Sequence, residues 1–140
     1  MIKSTYMKVT IAGSASIGFF CSYFMELTMA NAEQYLAVAA VLLLDGFFGV
    51  IAGIKREGFK TYKALKVLKS LATWEIILTA ILMIEKGFAG TSWLSETVIT
   101  PFIVFQLMSA LKNASMAGFI KNELLNIILD KIDKHKGDRV

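Results

Sequence analysis

The chain has 140 residues, 56% of them hydrophobic and 19% charged, with a mean hydropathy of +0.60. That balance is too apolar for an ordinary soluble domain of this length, so lipid must replace water around much of it. The formal charge of +4 does not point to nucleic acid, because the basic residues fall in blocks between apolar segments rather than on one face interleaved with aromatics.

One proline and 10 glycines exclude a collagenous or low-complexity chain, and no internal repeat or linker separates two domains. The expected class is all-α: an integral membrane protein with about four transmembrane helices in residues 1–117, then a cytoplasmic amphipathic helix and charged tail in 118–140. Spans are predicted near 9–25, 35–54, 68–84 and 98–113. The single cysteine, Cys21, excludes an intrachain disulfide and reads as a small core residue.

The first segment also has the layout of a signal peptide, with basic Lys3 and Lys8, an apolar run, and Ala30 and Ala32 spaced like a cleavage site. It is read here as an uncleaved first helix. The second apolar run alone reaches the roughly 20 residues that cross the hydrocarbon unaided. The third and fourth are short as bare apolar runs, leaving a re-entrant path open as the alternative. They span if Lys66, Lys69 and Lys112 lay their methylene stems along the helix and place their ammonium groups among the headgroups. Trp93 at an edge suits an interfacial belt, and Pro101 suits the first turn of the fourth helix.

The connections provide an independent test, because cytoplasmic loops are rich in Lys and Arg. Lys3 and Lys8 precede the first span, and the next connection carries Glu26 and Glu33. Lys55, Arg56, Lys60, Lys63, Lys66 and Lys69 crowd the following loop as a basic membrane-surface block. The third connection has Glu85, Lys86 and Glu96, and the tail has Lys112, Lys121, Lys131, Lys134, Lys136 and Arg139. This alternation predicts four crossings with both termini in the cytoplasm. Beyond Gly118, which marks a break, Phe119, Ile120, Leu124, Ile127, Ile128 and Ile132 recur at helical spacing. They predict a helix that lies on the membrane or docks on another subunit.

No catalytic constellation emerges, so the chain is not expected to be an enzyme. His135 is the only histidine, which leaves no His-based triad or multi-histidine metal site. No phosphate-binding glycine loop or nucleophile elbow is present, and neither a metal nor a cofactor is called for. Two acids within the spans do need an account, since an Asp near the bilayer centre costs roughly 2.5 to 3.5 kcal/mol on insertion scales. They are Asp45 and Glu75. Each either faces a lumen or a neighbouring subunit, or is neutralised or paired within its own bundle. Asp45, Gly49 and Gly53 follow at intervals of four, with Ala52 beside them, so they stack on one helix face. Small residues there let another helix approach closely, which suits an oligomer seam or an aqueous lumen. Toward the end of the fourth span, Ser109, Asn113 and Ser115 are polar residues able to bond across helices.

Residues 44–55, Leu-Asp-Gly-Phe-Phe-Gly-Val-Ile-Ala-Gly-Ile-Lys, resemble the second-span signature of a bacteriophage holin family that includes the toxin-secretion holins of clostridia. That signature is an apolar run with an Asp, a Gly four residues on, small residues and a lysine, followed by a basic loop. The stretch from Phe105 through Ser109, Leu111 and Asn113 to Gly118 is similar to the family's closing region. The resemblance covers roughly residues 35 to 135. The family usually has acids where this chain has Gln106 and Lys112, so only the roles of Asp45 and Gly49 carry over, as packing or lumen positions.

What the resemblance implies is a protein of the bacterial inner membrane that forms homo-oligomers and opens lesions for host lysis or toxin release. Its functional partner would be an endolysin, a muralytic enzyme, and its physical partners the lipid bilayer and its own copies. Two other classes are compatible with the residues: a membrane anchor or scaffold subunit of a larger assembly, and a small-ion or solute transporter built on Asp45 and Glu75.

Overall fold

The computed structural model describes residues 2–137, and Arg139 of the expected basic tail lies outside them. The chain is all-helical. In order it forms α1 (Ile2–Ala30), α2 (Ala32–Glu57), α3 (Thr61–Gly87), a 3-10 turn (Ala89–Thr91), α4 (Leu94–Met116) and α5 (Asn122–Gly137). Three helical segments are long and apolar enough to cross a membrane: Ala32–Glu57, Thr61–Gly87 and Ala89–Met116. They mark a membrane protein, and α1 is not among them.

Two compact units are present, Met1–Gln34 and Tyr35–Val140. In the first, the hydroxyls of Thr10, Ser14 and Ser16 donate to carbonyls one turn back, Tyr6, Thr10 and Ala12, at 2.8 to 2.9 Å. Such back-bonding satisfies each hydroxyl inside the helix and lets an otherwise apolar segment carry it. Asn31 ends α1 by donating its side-chain amide to the Leu27 carbonyl at 2.9 Å. Cys21 is exposed, which corrects its expected place in a core: residues 11–22 of α1 are exposed on every side of the helix.

In the second unit, α2 and α3 run antiparallel. Tyr35 and Thr79 share a hydrogen bond at 2.8 Å near one end, and Gly53 lies against Lys63 near the other. Between them α2 has no side chain at Gly46, where a Cβ would collide with the Val67 side chain. The core forms among α2, α3 and α4, from Val38, Val41 and Leu42 on the first, Leu78, Ile81 and Leu82 on the second, and Ile99, Phe102 and Ala110 on the third. Trp74 stacks on Phe102, with ring centroids 3.6 Å apart.

The turns follow from local chemistry. Gly58, at φ +80, ends α2 by donating its N–H to the Ile54 carbonyl at 3.1 Å, a left-handed cap that glycine adopts without Cβ strain. The expected basic loop shrinks accordingly. Only residues 58–60 separate α2 from α3, so Lys55 and Arg56 sit in the last turn of α2 and Lys63, Lys66 and Lys69 lie on α3. Gly118, at φ +89, ends α4: the Phe119 N–H reaches the Ala114 carbonyl at 2.9 Å and the Gly118 N–H reaches that of Ser115 at 3.0 Å. This pair of bonds is a Schellman motif, and it turns the chain into α5 where the break at Gly118 was expected.

Pro101 departs from expectation, lying inside α4 instead of in its first turn. The helix begins earlier because the 3-10 turn brings the chain back to α3, where the Glu85 carboxylate accepts the Ser95 N–H at 2.6 Å. Ser95 is buried, and a carboxylate on an unpaired N–H of a helix's first turn is favourable. Glu85→Ala is therefore expected to destabilise the α3–α4 hairpin by about 1 kcal/mol, read as a lower midpoint in detergent unfolding. An unchanged midpoint would mean that water caps α4 equally well.

The surface explains the need for lipid. Only 28%, 17% and 22% of the three apolar stretches are buried inside the protein, and Leu43, Leu44, Phe47, Leu65, Ile76 and Phe105 are exposed. Contiguous apolar surface on this scale requires lipid or another copy. In α5, Leu125 is buried and Ile128, Leu129 and Ile132 are half-buried, whereas Leu124, Ile127, Asp130 and Lys131 are exposed.

Candidate functional site

Polar side chains inside apolar helices must find partners, because hydrocarbon supplies none. Asp45 finds one in Asn113, whose side-chain amide donates to Asp45 Oδ1 at 2.9 Å. The bond joins α2 to α4 within one chain. Gly49, one turn beyond Asp45, leaves room for that amide, since a Cβ there would stand 3.3 Å from Asn113 Nδ2.

These residues border a partly open cavity of about 320 Å³ between α2, α3 and α4. Asp45, Ser70, Gln106 and Asn113 form its polar wall, Gly46 and Gly49 its bare wall, and Lys63 and Lys66 its basic rim. Each helix contributes through its periodicity. Asp45 and Gly49 are one turn apart on α2, and Lys63, Lys66 and Ser70 recur at three- and four-residue spacing on α3, so each set shares a face.

The rim is tied by a shared carboxylate. Glu57 Oε2 lies 3.1 Å from both Lys60 Nζ and Lys63 Nζ. The hydrogen bond to Glu57, and secondly its negative charge, raise the pKa of Lys60 above the usual lysine value. Both members of that pair are substantially exposed, so the ion pair contributes little stability. Lys55 reaches in the other direction and donates to the Ala117 carbonyl at the end of α4. Phe48 and Phe119 close the same end, with ring centroids 5.4 Å apart.

The small-residue face of α2 therefore packs against the same chain's α3 and α4: Gly49 on Asn113, Gly53 on Lys63, with Ala52 buried beside them. Glu75 is half-buried on α3 and does not line the cavity. Its carbonyl accepts the Thr79 hydroxyl at 2.7 Å. Of the basic block, Lys63 and Lys66 join the cavity, and Lys55, Arg56, Lys60 and Lys69 remain around it or outside. Sequence reasoning missed Gly46, Ser70 and Gln106 as wall residues and left Asn113 without a partner. The signal was available for Gly46, adjacent to Asp45 and three residues before Gly49. Among the described residues no group of three or more His, Cys, Asp or Glu side chains is arranged to hold a metal ion.

No family model, curated protein or solved structure matches the chain.

Proposed function

We propose that the protein is a holin-like homo-oligomer that permeabilises the bacterial inner membrane, releasing a muralytic enzyme in host lysis, or a toxin. In this reading α1 to α4 all cross the membrane, both termini are cytoplasmic, and α5 lies as an amphipathic brace on the cytoplasmic surface. The resemblance of residues 44–55 to the holin signature supports it, and one structural observation carries it furthest. A polar cavity holding Asp45 sits inside a bundle whose outer face is apolar and largely unburied by its own chain.

Such a subunit has two ways to satisfy Asp45. Alone in lipid, it keeps the carboxylate on Asn113. In a dense assembly, the same face turned to a water-filled lumen exchanges that partner for water. Interhelical hydrogen bonds in membranes are worth about 0.6 kcal/mol on average, so the exchange gives up little. Accumulation to a threshold then opens lesions without any catalytic group.

Expression with an endolysin tests the proposal. Growth is expected to stop abruptly and the cells to lyse, whereas sustained respiration and intact cells at high expression would refute it. Sidedness has its own check: single cysteines in place of Glu33 and Lys63, in a Cys21→Ser background, are expected to react with impermeant reagents from opposite faces of the membrane. A membrane anchor is the other reading, favoured by the exposed Leu124 and Ile127 of α5. Heteromeric co-purification at fixed stoichiometry, with no change in permeability, would select it.

A further inference from the structure

We propose that the basic rim of the Asp45 cavity binds a phosphate group, presented by the headgroup of an anionic phospholipid. The inference rests on the chain being membrane-embedded and is independent of permeabilisation.

The charge layout comes first. Two ammonium groups, Lys63 and Lys66, and one carboxylate, Asp45, line the cavity, which leaves an excess of positive charge. Lys63 already shares Glu57 with Lys60. Lys66 has no hydrogen-bond or ion-pair partner among the described residues, so it is the cation available to a ligand. Asp45 is held by Asn113 and repels an anion, which confines a phosphate to the lysine end. Ser70, one turn beyond Lys66 on the same face of α3, adds a hydroxyl donor to the wall.

Space and depth agree with that placement. The cavity, about 320 Å³, falls at the small end of ligand pockets, which run from roughly 300 to 1,000 Å³. That is enough for a phosphodiester with part of its glycerol. Gly46 and Gly49 let Val67 and Asn113 approach α2 closely, and Leu42, Asp45 and Val50 give the rest of the α2 wall its side chains. Lys66 lies little more than one turn into α3, about 7.5 Å along the axis, a depth at which a lysine meets headgroups instead of acyl chains. Leu65 and Leu68 beside it are exposed and offer apolar surface to the chains below. Basic pockets between membrane helices are the recurrent way in which anionic headgroups are recognised.

The test uses the full chain purified in neutral detergent, with phosphatidylglycerol, phosphatidylcholine and inorganic phosphate as probes and native mass spectrometry plus equilibrium binding as readouts. Phosphatidylglycerol is expected to be retained in preference to phosphatidylcholine. Lys66→Gln should weaken it about fivefold, and Lys69→Gln, which removes an exposed lysine outside the cavity, should leave it unchanged. Inorganic phosphate bound with the same dependence on Lys66, without retention of phosphatidylglycerol, would keep the phosphate site and overturn its lipid source. Equal losses from the two lysine variants would reduce the effect to general surface charge and overturn the site. So would the absence of both lipid preference and phosphate binding. None of these readouts involves lysis, so their failure leaves the permeabilising role standing, and a failed lysis assay leaves the site standing.

Discussion

Gly46→Ala is expected to destabilise the second unit by about 1 to 3 kcal/mol, the range for forcing extra carbon into a packed interior. The new Cβ would collide with Val67 Cγ1 and stand 2.7 Å from its Cγ2 and 3.1 Å from its Cβ. Valine cannot turn aside, because a β-branched side chain in a helix is nearly restricted to one rotamer. The backbones of α2 and α3 must part instead, which loosens the hydrogen bond at Tyr35 and the fit at Gly53 together. Denaturation in mixed micelles reads the loss directly. The clash is specific, so Gly46→Ala combined with Val67→Ala should recover most of what the glycine change removes. That is a strong non-additivity of the kind that contacting residues show. Gly49→Ala, with Asn113 at 3.3 Å, should be milder, and Gly13→Ala, with nothing within 4 Å, should be nearly silent. Wild-type stability in Gly46→Ala would remove the close approach of α2 to α3 on which the cavity's bare wall depends.

The contrast between Gly46 and Gly49 also shows what a sequence pattern can and cannot reveal here. Hydrophobicity and charge blocks locate α2, α3 and α4 well, because apolar length and lysine-rich ends are local properties. The break at Gly118 is legible for the same reason: a positive φ at a helix end selects glycine whatever lies around it. The small face on α2 is legible too, but not which neighbour it meets. Spacing of four assigns Asp45, Gly49 and Gly53 to one face, and nothing in that periodicity distinguishes another copy from α3 and α4 of the same chain. That is why Asn113, far along the chain, emerges only from the fold. Pro101 lies deeper in its helix than local rules predict because the start of α4 is set by Glu85 on a different helix, a tertiary cap that no local rule contains. The length of α3 exceeds expectation for a related reason: lysines that read as loop are compatible with helix when their stems lie along it and their charges reach the surface.

Asn113→Leu and Asp45→Asn are expected to differ in sign. The leucine variant removes the donor at 2.9 Å from Asp45 Oδ1 and leaves a half-buried carboxylate without its hydrogen-bond partner. For a group only half-buried on a partly open cavity, the loss is expected at the low end of the range for an unsatisfied polar group, about 1 kcal/mol. Asp45→Asn keeps an acceptor for the Asn113 amide and removes a half-buried charge, so stability should hold or rise. Asp45→Leu with Asn113→Leu should fall between them, since replacing both partners leaves no polar group unmatched. Permeabilisation is expected to follow a different order. If Asp45 lines a lumen after assembly, the charge hydrates that lumen, and Asp45→Asn should delay or abolish lysis despite undiminished stability. Asn113→Leu, if it still inserts, frees the carboxylate from its intrachain partner and should bring lysis earlier. Micelle unfolding gives the first ordering and timed lysis with endolysin gives the second. Lysis times that simply track stability across the three variants would reduce Asp45 to a packing residue, and the lumen assignment would fall with it.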